Sequence, residues 1–245
     1  SKALKDYIHM LPEYSSLKKE FHKLTEEGVD FSKINDWANK NLSMGSIDVN
    51  IMTKIDKANY LDKEMLPIEY NDAHAALRGF SESKLASSLV LSAGMNPRLY
   101  AYMSNFKDFF PDESGYIKKK IILKVSDYRS ALIQGKFLAK KGLWVSEYRI
   151  ESGLNCGGHA FATDGFLMGP VLKEFKENKE TLKSTTLSLL MEALKDADKI
   201  LPAKNLELKI TTQGGVGTDE EHAFLMEEYQ LDSVGWGSPF LLVPE

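Results

Sequence analysis

Six short apolar runs, longer helical stretches between them, and glycine loops after the last two runs predict an α/β protein. The expected architecture is a parallel (β/α)8 TIM-type barrel with extra N-terminal helices, incomplete because only about six of its strands are visible.

Composition fits that class. At 245 residues, 43% hydrophobic and 27% charged, the chain suits one large water-soluble domain. A net charge of −4 offers no global positive field to nucleic acid or anionic lipid, so neither is an expected partner. Short clusters such as Lys118-Lys119-Lys120 and Lys140-Lys141 flank apolar runs and read as solvated element ends. The single cysteine, Cys156, excludes an intrachain disulfide and points to a reducing compartment. No apolar run reaches the roughly 18 to 20 residues that span a bilayer, and Ser1–Asp6 lacks an apolar signal region. A cytoplasmic protein acting on a small-molecule substrate is the expectation, and a homo-oligomer stays open.

In residues 1–45, Tyr7, Leu11, Tyr14, Leu17, Phe21 and Leu24 recur at three- and four-residue steps, interrupted by Pro12. One or two amphipathic helices are expected there. Residues 46–245 form the barrel portion, with strands near Ile47–Met52, Ser88–Ser92, Ile121–Val125, Val145–Ile150, Glu207–Thr211 and Ser233–Trp236. Several are β-branched apolar runs, as strands buried on both faces should be. Asp127 is positioned to cap a helix over Tyr128–Lys141, which Gly142 would stop. Thr218-Asp219-Glu220-Glu221 has capping-box spacing, so another helix should start directly after the Gly214–Gly217 loop. The polar stretch Val171–Ile200 exceeds one barrel helix and reads as two helices broken near Asn178–Lys183, or as an extension outside the barrel.

Four motifs carry candidate chemistry. In Thr211-Thr212-Gln213-Gly214-Gly215-Val216-Gly217-Thr218, glycines at a strand end let the backbone approach an anion, and helix N–H groups can donate to phosphate oxygens. A plain connector is the alternative. Asp232-Ser233-Val234-Gly235-Trp236-Gly237-Ser238-Pro239-Phe240 repeats the pattern one βα unit later, and glycine ends on the last two strands make the usual phosphate pocket of a barrel. In Glu151-Ser152-Gly153-Leu154-Asn155-Cys156-Gly157-Gly158-His159, a histidine sits on a glycine-rich loop after a strand, where an imidazole can exchange a proton near neutral pH. Cys156 and His159 are too few ligands for a metal, and a packed or mildly reactive thiol is the simpler reading of Cys156. Lys124, inside Ile121-Ile122-Leu123-Lys124-Val125, is costly to bury unless it meets an anion. That anion is either a structural carboxylate or the negative charge gathering at N1 and the C2 carbonyl of a reduced flavin. Asn50 and the Ser92–Pro97 stretch are further strand-end polar groups, suited to contact a ring or to make a turn.

Taken in order, these segments resemble the nitronate monooxygenase (2-nitropropane dioxygenase-like) family of FMN-dependent barrels. Ser152–His159 is similar to that family's Gln-Gly-x-Glu-Ala-Gly-Gly-His loop, and Gln213-Gly214-Gly215-Val216 to its Ala-Gly-Gly-Ile. Gly235–Glu245 is similar to its Met-Gly-Thr-x-Phe-Leu-x-x-Pro-Glu, and Asp48-Val49-Asn50-Ile51 to its Val-Asn-Leu strand. The resemblance implies a flavoprotein oxidoreductase of the monooxygenase type. FMN would be bound through Asn50, Lys124, Ser152, Gly157, Gly158, Gly214, Gly215, Gly237 and Ser238, with His159 as acid/base and Lys124 steadying the reduced ring.

Ser152 and Asn155 replace the family's Gln and Glu, and Ile122-Leu123-Lys124-Val125-Ser126 looks instead like the lysine strand of the glutamate synthase FMN domain. Nitronate is thus one substrate among several. Two strands that precede the Val-Asn strand in that family are not found in residues 1–45, and the chain stops at Glu245. A piece of a longer protein is therefore expected. The alternatives are a non-flavin barrel enzyme acting on a phosphorylated substrate, with Lys124 as base or Schiff-base amine, and a non-catalytic barrel fragment.

Overall fold

The structure, a computed structural model, describes residues 2–11, 13, 15–26, 28, 30–42, 45–51, 56–151, 168–214 and 216–236. The chain divides into two compact units, Ser1–Ser46 and Ile47–Glu245.

The first unit holds three helices, α1 (Lys2–Met10), α2 (Ser16–Glu26) and α3 (Phe31–Asn41), where the periodicity had predicted one or two. The third start comes from Asp30, whose carboxylate accepts from the N–H groups of Ser32 and Lys33 at 3.0 and 3.3 Å. Ile8, Phe21 and Ile34, one from each helix, make a small core. Lys18 is buried and joins α1 to α2 by donating to the Leu11 carbonyl at 2.9 Å and to Glu13 Oε1 at 2.5 Å.

The second unit begins with β1 (Val49–Ile51), then a hairpin of β2 (Tyr60–Leu61) and β3 (Glu64–Met65) that the sequence did not announce. Asp62 and Lys63 turn it with φ of 47° and 76°, the backbone of a two-residue hairpin loop. There follow α4 (Asp72–Glu82), β4 (Ser87–Leu91), α5 (Pro97–Met103), β5 (Lys119–Val125), α6 (Tyr128–Ala139) and β6 (Val145–Glu151). The described elements end with α7 (Met168–Asp196), β7 (Lys209–Gln213), α8 (Asp219–Tyr229) and β8 (Ser233–Gly235).

The architecture is α/β: six strands form one parallel sheet in the order β1-β4-β5-β6-β7-β8, which is their order in the sequence. All six strands expected from the apolar runs are present, with ends that differ by at most two residues. Among the described residues β1 and β8 remain the two edges, and the sheet is not closed into a barrel.

The two faces of the sheet differ. Leu89, Leu91, Ile121, Leu123, Val125, Tyr148, Ile150 and Ile210 point to one side and share a single core with α4, α5, α6 and α7. Val90 and Ile122, which point to the other side, are buried but lie outside that core. Tyr148 shows how tightly the helix side fits: a Cβ on Gly135 of α6 would stand 3.2 Å from both Tyr148 Cζ and Thr186 Cγ2 of α7, and closer still to the phenol oxygen.

Capping follows the sequence closely. Asp127 Oδ1 accepts from Ser130 N at 2.7 Å, and α6 ends before Gly142, whose φ of 75° a side chain rarely adopts. Two expectations fail. The 168–196 stretch is one unbroken helix, not two, because Val171, Leu172, Phe175, Leu182, Thr186, Leu190 and Leu194 continue a single buried stripe through the polar middle. There the polar residues face outward, and Lys179 reaches Asp232 at 2.9 Å. Lys119 is fully buried, not a solvated strand end. Its ammonium replaces water with Ser83 O, Ser83 Oγ and Leu85 O at 3.0 to 3.1 Å, and lies 4.4 Å from the Phe80 ring centre. Burial, helped by the charge of Lys118 and opposed by Asp108, lowers its pKa from the usual lysine value.

Candidate active site

Because the strands are parallel, their C-terminal ends lie along one edge, and residues in register share a face. Lys124 of β5 is in register with Arg149 of β6, and Arg149 with Thr211 of β7; two residues on, Glu151 is in register with Gln213. These side chains form the face turned away from the core, in two charged layers.

The lower layer centres on Arg149. Its guanidinium contacts Glu147 Oε1 through Nε at 2.9 Å and Nη2 at 2.8 Å, and approaches Asp48 Oδ2 at 3.8 Å. Thr211 Oγ1 donates to the same Glu147 oxygen at 2.7 Å. Asp48 precedes β1, which β4 and β5 separate from β6. The contact therefore spans three strand spacings of about 4.8 Å each. Among the described residues, Asp48 Oδ1 is buried without a hydrogen-bond partner.

The upper layer is at the C-terminal edge. Lys124 Nζ lies 3.5 Å from Glu151 Oε2, and Gln213 Nε2 donates to Glu151 Oε1. Lys124 is 21% and Glu151 17% exposed, so the pair is only partly exposed. The carboxylate foreseen as one explanation of Lys124 is therefore present, and it links the lysine to the strand that enters the glycine loop.

Gly214 follows Gln213 directly, with φ of 94°, a conformation that favours glycine. The capping box of α8 forms as the spacing predicts: Glu221 N donates to Thr218 Oγ1 at 3.2 Å, and Glu221 Oε2 accepts from Gly217 N at 2.8 Å and Thr218 N at 3.2 Å. This alters the phosphate expectation, because a carboxylate of the helix itself already engages these leading N–H groups. Asp219 and Glu220 add two further acids to the same turn. Gly235 is required by strand approach, since a Cβ there would stand 2.9 Å from Gln213 Cβ.

Asn50 lies exposed in β1, in register with Val90 and so on the charged face. Asn96 caps α5, accepting from Leu99 N at 3.1 Å, which makes it a turn residue. Ser152, Gly157, Gly158, His159, Gly215, Gly237 and Ser238 lie outside the described residues.

Sequence reasoning missed Glu151 and Gln213 as partners of Lys124; strand alternation from Arg149 and Thr211 would have placed both on its face. It also missed His222 of α8, whose Nδ1 accepts from Trp236 Nε1 at 2.8 Å beside the end of β8. A third omission is the buried His74, 2.6 Å from Asp56 through Nδ1. Asp56 also accepts from Ala73 N at 2.9 Å, so this pair caps α4 and binds the preceding loop to it. Among the described residues no group of three His, Cys, Asp or Glu side chains could hold a metal ion, and no helix is long and apolar enough to cross a membrane. No protein-family model matches the chain, and no curated protein sequence matches it.

Proposed function

We propose that the chain is the FMN-binding part of a flavin-dependent oxidoreductase, a segment of a parallel (β/α)8 barrel acting on a small organic substrate. The observation that carries this reading is the convergence of Lys124, Glu151 and the Gln213-Gly214 strand end on one face of three adjacent parallel strands, at their C-terminal edge. Barrel enzymes carry their chemistry at that edge. The barrel itself is supported by strand order without reversal and by a helix-backed core on one face. A doubly wound sheet would reverse its order and cover both faces.

The described residues fit a flavin mononucleotide at two points. Lys124 offers a partly exposed ammonium where negative charge would gather on a reduced ring. Gly214 offers a backbone bend that a side chain would strain. With Gly217 and Thr218 engaged by Glu221, the phosphate falls to the backbone of 214–216, together with Gly237 and Ser238. Asn50, Ser152, Gly157 and Gly158 complete the binding residues, and His159 moves a proton at the substrate. The flavin, when bound, supplies the electron transfer, while the chain supplies position and charge. The alternative is a non-flavin barrel enzyme with Lys124 as base or Schiff-base amine, which trapping by borohydride in the presence of substrate would reveal.

The test is reconstitution of the full chain with FMN followed by removal of free flavin. Flavin absorbance that stays with the wild-type protein and is lost in Gly214→Asp is expected. A wild-type chain that remains colourless overturns the proposal.

A further inference from the structure

We infer that Glu151 is a positioning residue for Lys124: its carboxylate fixes the lysine ammonium at the catalytic edge and limits how much positive charge a bound flavin ring experiences. This deepens the flavin reading and rests on it.

A lysine side chain is long and freely rotating, and an unpaired ammonium on an open face would sample many positions. Here its end is drawn to one oxygen of Glu151 at 3.5 Å. Glu151 is in turn held from the opposite side, because Gln213 Nε2 donates to its other oxygen. The carboxylate thus stands on the middle of three strands with a donor from each neighbour, and Oε2 is the oxygen turned to Lys124. The remaining acids of the face serve another cation: Glu147 and Asp48 are both engaged with Arg149, in the lower layer. Among the described residues Glu151 is therefore the acid that orders Lys124.

The electrostatic consequence has a definite sign. An isolated ammonium favours the reduced, anionic form of a neighbouring ring, whereas an ammonium paired with a carboxylate acts as a dipole whose field falls off faster. Glutamine at 151 keeps the size and one hydrogen-bond acceptor but removes the opposing charge. Lys124 should then act on the ring at nearly its full charge, and the flavin should be easier to reduce.

The experiment compares the wild type, Glu151→Gln, Lys124→Met and the double variant, each reconstituted with FMN and titrated for the flavin midpoint potential. The expected result is a rise in Glu151→Gln, a fall in Lys124→Met, and a smaller rise when Glu151→Gln is added to Lys124→Met, where only the direct field of the carboxylate is removed. Glu151→Asp, which keeps the charge but draws it back by one methylene, should fall between the wild type and Glu151→Gln. A Glu151→Gln shift that is absent, downward or equally large without Lys124 overturns the inference. Thermal melting of the same four proteins without flavin tells two failures apart. If the wild type binds no FMN, the flavin reading fails and the tuning role fails with it, while non-additive melting shifts still support the positioning role. Additive shifts overturn that role whatever the flavin does.

Discussion

Alternate residues of the same strands build two faces with different purposes. On β5, Leu123 enters the core shared with the helices, and its neighbour Lys124 faces Glu151 on the charged side. On β6, Tyr148 is wedged against Gly135, and its neighbour Arg149 gathers two carboxylates. A parallel sheet usually buries both faces in apolar contacts. Here one face packs against the helices, and the other carries charged side chains beside the buried Val90 and Ile122, which costs stability unless each charge is paired. Packing and charge are thus separated by a step of one residue along the chain.

The sharpest test is therefore a pair of neighbours. Leu123→Ala, at a fully buried site, should cost about 2 to 5 kcal/mol in urea or thermal unfolding. Lys124→Met, one residue on, should change stability by under about 1 kcal/mol, as partly exposed ion pairs do. Its effect should appear in flavin binding or potential. Equal losses of stability at both positions would break the division between the faces.

Next in size is Gly135→Ala on the helix side. The new methyl would overlap the Tyr148 ring end and crowd Thr186 Cγ2 at 3.2 Å, so a loss of about 1 to 3 kcal/mol is expected. Tyr148→Phe added to it should recover part of that loss, because it removes the atom nearest the new methyl. Additive effects in the four-variant cycle would show that Gly135 matters for another reason.

Lys119 sharpens the comparison from the other direction, as a charge on the apolar face. Lys119→Met leaves Ser83 O, Ser83 Oγ and Leu85 O without their donor and should cost about 1 to 3 kcal/mol at neutral pH. Burial lowers the folded pKa, so the unfolded chain holds the proton more tightly. Wild-type stability relative to the variant should then rise with pH as it approaches the ordinary lysine value of 10.5 from below. A difference that shrinks over that interval would contradict the assignment.

What the sequence made legible follows the same division. The strand runs around Leu89, Ile121 and Ile150, the Asp127 cap and the Thr218–Glu221 capping box were readable, because periodicity and capping act over a few residues. The continuity of α7 was not, since the polar stretch near Asn178 is helical only because Leu182 and its neighbours find a buried side supplied from elsewhere in the chain. Lys124 stood out as a cation among apolar residues, but its partner lies 27 positions away and is brought to it by strand register. Asp56 with His74 and Trp236 with His222 are likewise brought together only by the folded chain, 18 and 14 positions apart. Lys119 misled for a related reason: the three oxygens that make its burial tolerable come from the turn after α4, and nothing in a triple lysine announces them.

The smallest predicted effect has the opposite sign from the others. Tyr148 is fully buried, and among the described residues its hydroxyl, close against Gly135, has no hydrogen-bond partner. Burial drives its pKa well above the usual tyrosine value, as expected for a phenol far from water. A buried hydroxyl without a partner costs roughly 1 to 3 kcal/mol relative to an apolar group in the same place. The ring contributes its full apolar contact either way, so Tyr148→Phe should stabilise the protein by about 1 kcal/mol. If the helix face alone sets stability, the gain should appear in unfolding and leave FMN binding unchanged. A loss of stability in Tyr148→Phe would show that the hydroxyl is satisfied in solution, by a water or by a shift of Thr186, and that even the apolar face keeps one polar contact.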